Sequence, residues 1–162
     1  RPTRPVADAP PHILSATVFR ACHPTRDMAQ GMALAERFRD ELGLDIAMHG
    51  VLDISVQTDR FAAPPFQSLP ARRQWDFLIG ITITGGNEGR STCLLQAFDT
   101  RTDNTIVWGH RLSLTPSTLR ALSNRFATVL ILSLLQTEAR RLASVPMADL
   151  SPFGLANGRG HV

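Results

Sequence analysis

The sequence predicts an α/β domain with a mixed five-stranded sheet, helices packed on that sheet and a long C-terminal helix. Three observations lead to this fold class. A strand, a helix and a second strand occupy the first half of the chain, three strand-like runs follow one another between residues 75 and 114, and a long apolar helix comes last. The predicted order is therefore β-α-β-(α)-β-β-β-α, in which the helix in parentheses is short.

The first half of the chain predicts a strand-helix-strand unit. Residues 13–19 are apolar and partly β-branched, which is typical of an inner strand. Apolar residues then recur at helical spacing, and Gly43 stands where a helix commonly ends. Residues 46–56 resume the apolar run, so we expect a second strand there, with a bulge or break at Gly50 and with His49 in the core. Two strands joined by a helix in this way form a parallel crossover.

A proline-containing segment separates this unit from the hairpins. Residues 57–70 include three prolines, which remove backbone donors and exclude long regular structure. We expect a loop there that ends in a short helix over residues 68–74. The aromatic residues Phe61, Phe66 and Trp75 are candidates to line a pocket between this loop and the sheet.

The hairpin region begins with an alternation of period two. Ile79, Ile81 and Ile83 alternate with small or polar residues, which places the isoleucines on one face of a strand over residues 77–84. Glycines at 85, 86 and 89 supply the positive φ values of a hairpin turn. Residues 91–99 form the return strand, and a second turn leads to a strand at residues 106–108, with Trp108 in the core.

The last predicted element is a long helix. Thr115 followed by Pro116 is typical of an N-cap with proline at the first helical position, and the helix continues to about residue 142. Its apolar surface extends beyond one inward stripe through Ile131, Leu132 and Leu135. We therefore expect these three residues to form an interaction surface, most simply with a second copy of the chain.

Composition and proline content set the expected boundaries. Residues 1–11 contain four prolines and read as a linker, residues 12–144 as one domain, and residues 145–162 as a tail or the start of a following domain. The chain of 162 residues suffices for one core. We expect it to be a piece of a longer protein.

The charge pattern argues against nucleic-acid and membrane partners. All 17 basic residues are arginine, against 14 acidic residues and a net charge of +3, and they are scattered along the chain. A surface that tracks phosphates needs them on one face, so we expect no direct nucleic-acid contact. The longest apolar run, residues 129–132, is far below the roughly 20 residues of a membrane span.

No group of residues predicts catalysis, a metal site or a cofactor. Turn chemistry accounts for Asp99, Arg101 and Asp103, and His110 alone does not complete a site. The loop GGNEGR lacks the lysine and hydroxyl residue of a phosphate-binding loop. The two cysteines, Cys22 and Cys93, form no CxxC motif, are expected to be reduced and buried, and the histidine beside Cys22 points the opposite way on an extended chain. We therefore expect a protein that is not an enzyme.

Three strand motifs carry a family resemblance. They are Asp76-Phe77-Leu78-Ile79-Gly80, the run from Leu95 to Asp99, and Val107-Trp108. With the order of elements, they make residues 31–142 resemble the small α/β domain related to the amino-terminal domain of TolB. That domain precedes tetratricopeptide repeats in bacterial adenylate cyclase-like proteins and winged-helix transcriptional regulators. This chain departs from the pattern in a longer turn at residues 103–104, in a first strand without Pro-Phe, and in a more apolar last helix.

The resemblance implies a non-catalytic regulatory and protein-interaction domain in the cytoplasm, within a larger bacterial signalling protein. Its expected partners are a second copy of itself and the flanking domains of the same chain. Two alternatives stay open. One is a small-molecule sensor with its pocket at Phe61, Phe66 and Trp75, and the other is a periplasmic envelope protein like TolB.

Overall fold

The computed structural model describes residues 13–22, 29–62, 75–87 and 89–144. They form one five-stranded sheet in the order β2-β1-β3-β4-β5 and two helices. The predicted linker at 1–11, the short helix at 68–74 and the tail at 145–162 lie outside the described residues. The elements are β1 (Ser15–Cys22), α1 (Ala29–His49), β2 (Asp53–Ala62), β3 (Phe77–Asn87), β4 (Arg90–Asp99), β5 (Thr105–Leu114) and α2 (Leu119–Ala143).

The strand pairings confirm the predicted fold class. β1 pairs in parallel with both β2 and β3, as a strand-helix-strand crossover requires. β3, β4 and β5 are antiparallel neighbours, as the hairpin turns predict. The sheet is therefore mixed, with β3 at its centre between the parallel half and the antiparallel half.

Both helices pack against the side of the sheet that carries the isoleucines of β3. Ile79, Ile81 and Ile83 are all buried there, which confirms the period-two prediction. The two helices and the sheet share one main core cluster. Its large helical members are Phe38, Leu42, Ile46, Leu119, Phe126, Leu130, Ile131 and Leu134. The opposite side of the sheet holds a smaller cluster of Phe19, Ala21, Leu78 and Phe98, with Trp75 packed against it.

Helix α1 is longer than predicted because Gly43 has a packing role. The helix does not end at this glycine but continues to His49. A Cβ at position 43 would lie 2.4 Å from Cγ2 of Val56, so the missing side chain lets α1 approach β2 closely.

The chain leaves α1 at Gly50. This residue has φ +68°, and its N–H donates to the carbonyl of Ala47 at 3.0 Å, which is the left-handed ending expected of a helix C-terminus. The predicted strand over residues 46–56 is therefore wrong in its first part. It also ends too early, because β2 continues to Ala62, so the loop predicted over residues 57–70 is wrong for residues 57–62. Ile46 is buried on the helix, and His49 is exposed on the last helical turn instead of lying in a core strand.

Helix α2 begins after a turn held by two threonines. The Thr118 N–H donates to Thr115 Oγ1 at 3.3 Å, and the Thr115 N–H donates to Thr118 Oγ1 at 3.2 Å. These reciprocal bonds have the pattern of a capping box. The Leu119 N–H also donates to the Thr115 carbonyl at 3.0 Å, so Thr115 organises the start of the helix although regular helix begins at Leu119.

The packing of Gly43 predicts that replacing it by alanine destabilises the protein, which is opposite to the usual effect in a helix. In an exposed helix, replacing glycine by alanine stabilises by about 1 kcal/mol. Here we expect Gly43→Ala to lower the free energy of unfolding by about 1 to 3 kcal/mol, because the new methyl group overlaps Val56. Chemical denaturation followed by circular dichroism measures this change. The double variant Gly43→Ala/Val56→Ala should lose less than the sum of the two single variants, and a stabilising Gly43→Ala would contradict the account.

Candidate functional site

The outward side of α2 is the candidate interaction surface. Three leucines on this helix are exposed: Leu132 by 62%, Leu135 by 37% and Leu142 by 57%. We call them the outer leucines. The residues buried on α2 are Leu119, Ser123, Phe126, Ala127, Leu130, Ile131 and Leu134. At 100° per residue, the outer leucines lie on the side away from this buried set.

The structure places one predicted surface residue in the core. Ile131 is only 5% exposed and belongs to the main cluster, so its assignment to the interaction surface is wrong. It borders the core side of the helix, one residue before Leu132, and a single step turns the side chain by 100°. Leu142 joins the exposed set instead. Its position seven residues after Leu135 was a usable signal, because that spacing returns to the same side of a helix.

The first part of α2 is attached to α1 through a nearly buried carboxylate. The Ser123 hydroxyl donates to Asp45 Oδ2 at 2.6 Å, and Arg120 Nη1 lies 3.1 Å from Asp45 Oδ1. Asp45 is 9% exposed, so both of its oxygens need such partners. Ser123 and Asp45 are 78 residues apart in the sequence, and their hydrogen bond links the two helices.

The last turns of α2 are attached to the sheet by an ion-pair network. Arg101 places Nη1 2.8 Å from Glu138 Oε1, and its Nε lies 3.1 Å from Asp99 Oδ1. Arg141, one turn along the helix, binds both oxygens of Glu138 at 3.0 Å. The Arg101 guanidinium also lies 4.9 Å from the centre of the Phe77 ring, within cation-π distance. The outer leucines therefore stand on a helix that is held near both ends.

The network shifts the pKa of its central carboxyl group. The hydrogen bonds from Arg141, with those from Arg101 and the two positive charges, lower the pKa of Glu138 from 4.5 to about 2, against an opposing effect of burial. Burial lowers the pKa of Arg101, but the hydrogen bonds and charges of Asp99 and Glu138 together outweigh it and raise the pKa. The ion pairs are therefore formed throughout the neutral pH range.

A polar pocket lies beside the same network. Trp75, Asp76, Thr100, Arg101, Thr102 and Asp103 line a space of about 620 Å³. The Thr100 hydroxyl donates to the Trp75 carbonyl at 2.6 Å, and Asp76 Oδ2 accepts from the Ser15 N–H at 3.0 Å. These hydrogen bonds fix the positions of three residues that line the pocket.

This pocket matches the predicted one only at Trp75. Phe66 and the side chain of Phe61 lie outside the described residues, so the apolar pocket predicted from the three aromatic residues stays a prediction. The lining that the structure describes comes mainly from the turn after β4, whose hydroxyl and carboxylate groups make it polar. The sequence signal for it was the dense Thr and Asp content of residues 99–103.

The remaining chemistry-bearing residues are distributed over separate places. Asp99 pairs with Arg101. The His110 ring stacks on Trp108, with ring centres 6.1 Å apart, and contacts Phe126 at a tilt of 43°, with ring centres 5.1 Å apart. Cys93 is buried, and burial raises the pKa of its thiol although a hydrogen bond with Ser91 opposes this. Within the described ranges, no three His, Cys, Asp or Glu side chains converge as a metal site. Neither described helix is long and apolar enough to cross a membrane.

The Glu138 network predicts a pH-dependent loss of stability. Because the folded pKa lies below the ordinary value, the contribution of Glu138 is fully present above about pH 5 and is lost as the pH falls towards 2. We expect Glu138→Gln to lower the free energy of unfolding by about 1 to 2 kcal/mol at neutral pH, and this difference to shrink with acidification. Urea denaturation from pH 7 to 2 measures it. The exposed Asp53→Asn is the control, with a change within about 0.5 kcal/mol, and a Glu138 difference that does not vary with pH would refute the assignment.

Comparisons with known proteins identify no family. No family model matches the sequence, and no curated protein matches it. Among solved structures, the chain is similar to the dodecamer of a PelC variant from Paraburkholderia phytofirmans, with 16% identity, TM-score 0.43, and coverage of 72% of this chain and 85% of that one. It is also similar to the hypothetical protein CT253 from Chlamydia trachomatis, with 10% identity, TM-score 0.32, and coverage of 62% and 69%. At these values neither likeness supports an argument about this chain.

Proposed function

We propose that this chain is a non-catalytic regulatory and protein-interaction domain of a larger bacterial signalling protein, either a transcriptional regulator or an adenylate cyclase-like protein. Its docking surface is the outward side of α2. The observation that carries the proposal is the exposure of Leu132 and Leu135 on a helix held near both ends. The domain works in the cytoplasm and contacts a second copy of itself and the flanking parts of its own chain.

The energetics of the outer leucines support this proposal. Single exposed apolar residues are common on protein surfaces, but a line of them on one helix is typical of an interface. Full burial of a leucine side chain is worth roughly 1.5 to 3 kcal/mol, and a partner could still bury the exposed share of each side chain, which is 62% for Leu132 and 37% for Leu135. The attachments at Asp45 and Glu138 reduce the ordering that binding would require, so more of the burial energy is available for association.

The family resemblance supports the same surface. Its three motifs lie on β3, β4 and β5, which are consecutive neighbours in the sheet. The helix that follows these strands in TolB-like domains is the one directed towards the flanking repeats. In this chain that helix is α2, and it carries the outer leucines.

A second candidate function rests on the pocket at Trp75. A space of about 620 Å³ is large enough for a small metabolite, and its hydroxyl and carboxylate groups suit a polar ligand. This observation favours a small-molecule sensor. A periplasmic TolB-like envelope protein is the remaining alternative, and locating the full-length protein by cell fractionation distinguishes it from the cytoplasmic proposal.

The docking surface predicts concentration-dependent self-association. In sedimentation velocity experiments, the apparent mass should rise with protein concentration, and Leu135→Asp should return it to the monomer value because a buried charge is costly at an apolar interface. The matched control is Met48→Asp, since Met48 is 84% exposed but lies on α1. A monomer at the highest attainable concentration, unchanged by Leu135→Asp, would contradict the docking role.

The sensor alternative predicts a ligand-dependent rise in melting temperature. A ligand at about 100 times its Kd stabilises the folded state by about 2.7 kcal/mol, which a thermal-shift screen of polar metabolites detects. The chain has two tryptophans, so Trp108→Phe leaves Trp75 as the sole reporter in the pocket. A compound that raises the melting temperature should also change the fluorescence of this variant. If a compound raises the melting temperature but leaves the Trp75 fluorescence unchanged, the pocket is not its binding site.

A further inference from the structure

The pocket beside Trp75 is unbalanced in its hydrogen-bonding groups. Its volume of about 620 Å³ lies within the range of small-molecule sites. A ligand in such a space must complement the donors and acceptors that the protein itself leaves unused. In this lining the side-chain donors are largely used by the protein, whereas acceptors remain.

The two threonine hydroxyls of the lining are donors that the turn after β4 already uses. The Thr100 hydroxyl donates to the carbonyls of Trp75 and Asp76, at 2.6 and 3.0 Å. The Thr102 hydroxyl donates to the carbonyl of Asp99 at 3.3 Å. A hydroxyl has a single proton, so both groups meet a ligand as acceptors, through their lone pairs.

The guanidinium group of Arg101 is committed in a similar way. Its Nε lies 3.1 Å from Asp99 Oδ1, and its Nη1 lies 2.8 Å from Glu138 Oε1. Its Nη2 is closed to solvent and has no hydrogen-bond partner among the described residues. Two carboxylates therefore already compensate the positive charge of Arg101, and an anionic ligand would have to compete with both of them.

The charge of the site is negative. Asp103 is exposed at the end of the turn, and none of the ion pairs within the described residues includes it. Asp76 is the second carboxylate of the lining. Counted with the groups bound to Arg101 and Glu138, the described residues place four carboxylates and two guanidinium groups at this site. Such a balance attracts a positively charged ligand.

The ring of Trp75 supplies the remaining wall. The residue is half-buried, and it packs against the small cluster on the side of the sheet opposite the helices. This packing holds the indole in place beside the carboxylates. The face of an indole ring attracts a cation within about 6 Å of its centre.

We infer that this pocket binds a small organic cation, whose ammonium group is held by Asp103 and Asp76 and whose carbon chain lies against Trp75. The inference deepens the second candidate function, the small-molecule sensor, and is independent of the docking surface on α2. A neutral ligand would leave the negative charge uncompensated. An anion would meet two carboxylates and an arginine that is already paired.

Three probes of equal length test the charge of the ligand. Cadaverine, 1,5-pentanediol and glutarate share a five-carbon chain but are positively charged, neutral and negatively charged at neutral pH. Calorimetric titration of the unmodified chain measures their affinities, and Trp75 fluorescence in Trp108→Phe reports binding at the pocket. We expect cadaverine to bind about tenfold more tightly than 1,5-pentanediol, and glutarate not to bind. Salt at about 0.5 M should weaken cadaverine binding, because it screens charges at an open site.

Asp103→Asn tests the position of the cation. Asp103 has φ 63°, and asparagine tolerates this left-handed conformation, so the substitution removes the charge and keeps the turn. We expect it to weaken cadaverine binding about tenfold. The matched control is Asp40→Asn, which removes a carboxylate that is 56% exposed on α1, outside the lining, and should change the affinity less than twofold. Circular dichroism of each variant confirms that the fold is retained.

Each contrary outcome overturns a named part of the inference. If 1,5-pentanediol or glutarate binds as tightly as cadaverine, the ligand class is wrong. If Asp103→Asn and Asp40→Asn weaken cadaverine binding equally, the cation is not held in the pocket, and if no probe binds, the inference fails as a whole. Sedimentation of the same samples measures self-association through Leu135 separately, so the docking role does not depend on these titrations.

Discussion

Burial of the isoleucine side of β3 is the constraint on which the rest of this domain depends. β3 is the central strand, so it joins the parallel crossover to the antiparallel hairpins. Its isoleucines must be removed from water, and α1 lies over them while α2 lies beside α1, over β5 on the same side of the sheet. Because the two helices lie side by side on the sheet, they also contact each other, and the bond between Ser123 and Asp45 forms at that contact.

The position of α2 on the sheet beside α1 explains why α2 has two different apolar sides. One side completes the core over the sheet and against α1, and its buried residues would be needed in any domain of this architecture. The other side faces away from the sheet and has no such role in the described residues. Polar residues would serve solubility better there, so the outer leucines indicate a contact surface, whereas the core leucines are explained by the fold alone.

The polar features concentrate where the turn after β4 meets the end of α2. Asp99 accepts a hydrogen bond from the Arg101 N–H at 2.9 Å, which holds the turn, and Arg101 carries the attachment onward to Glu138. The same arginine lines the pocket at Trp75. The candidate pocket and the last turns of the candidate docking helix are therefore connected through one side chain, and a change in its contacts would reach both.

The sequence by itself determined the fold class, because local patterns suffice for it. Each of the patterns that predicted it depends only on residues close together in the sequence. They are the alternation around Ile81, the glycines of the hairpin turn and the helical spacing before Thr137. Tertiary structure alone decided the role of Gly43, since its reason is a contact with Val56, which a local rule for helix ends does not include. It also decided that Ile131 is buried while Leu132 beside it is exposed. Adjacent apolar residues look alike in a sequence, and only the placement of the helix on the sheet determines which of them is covered.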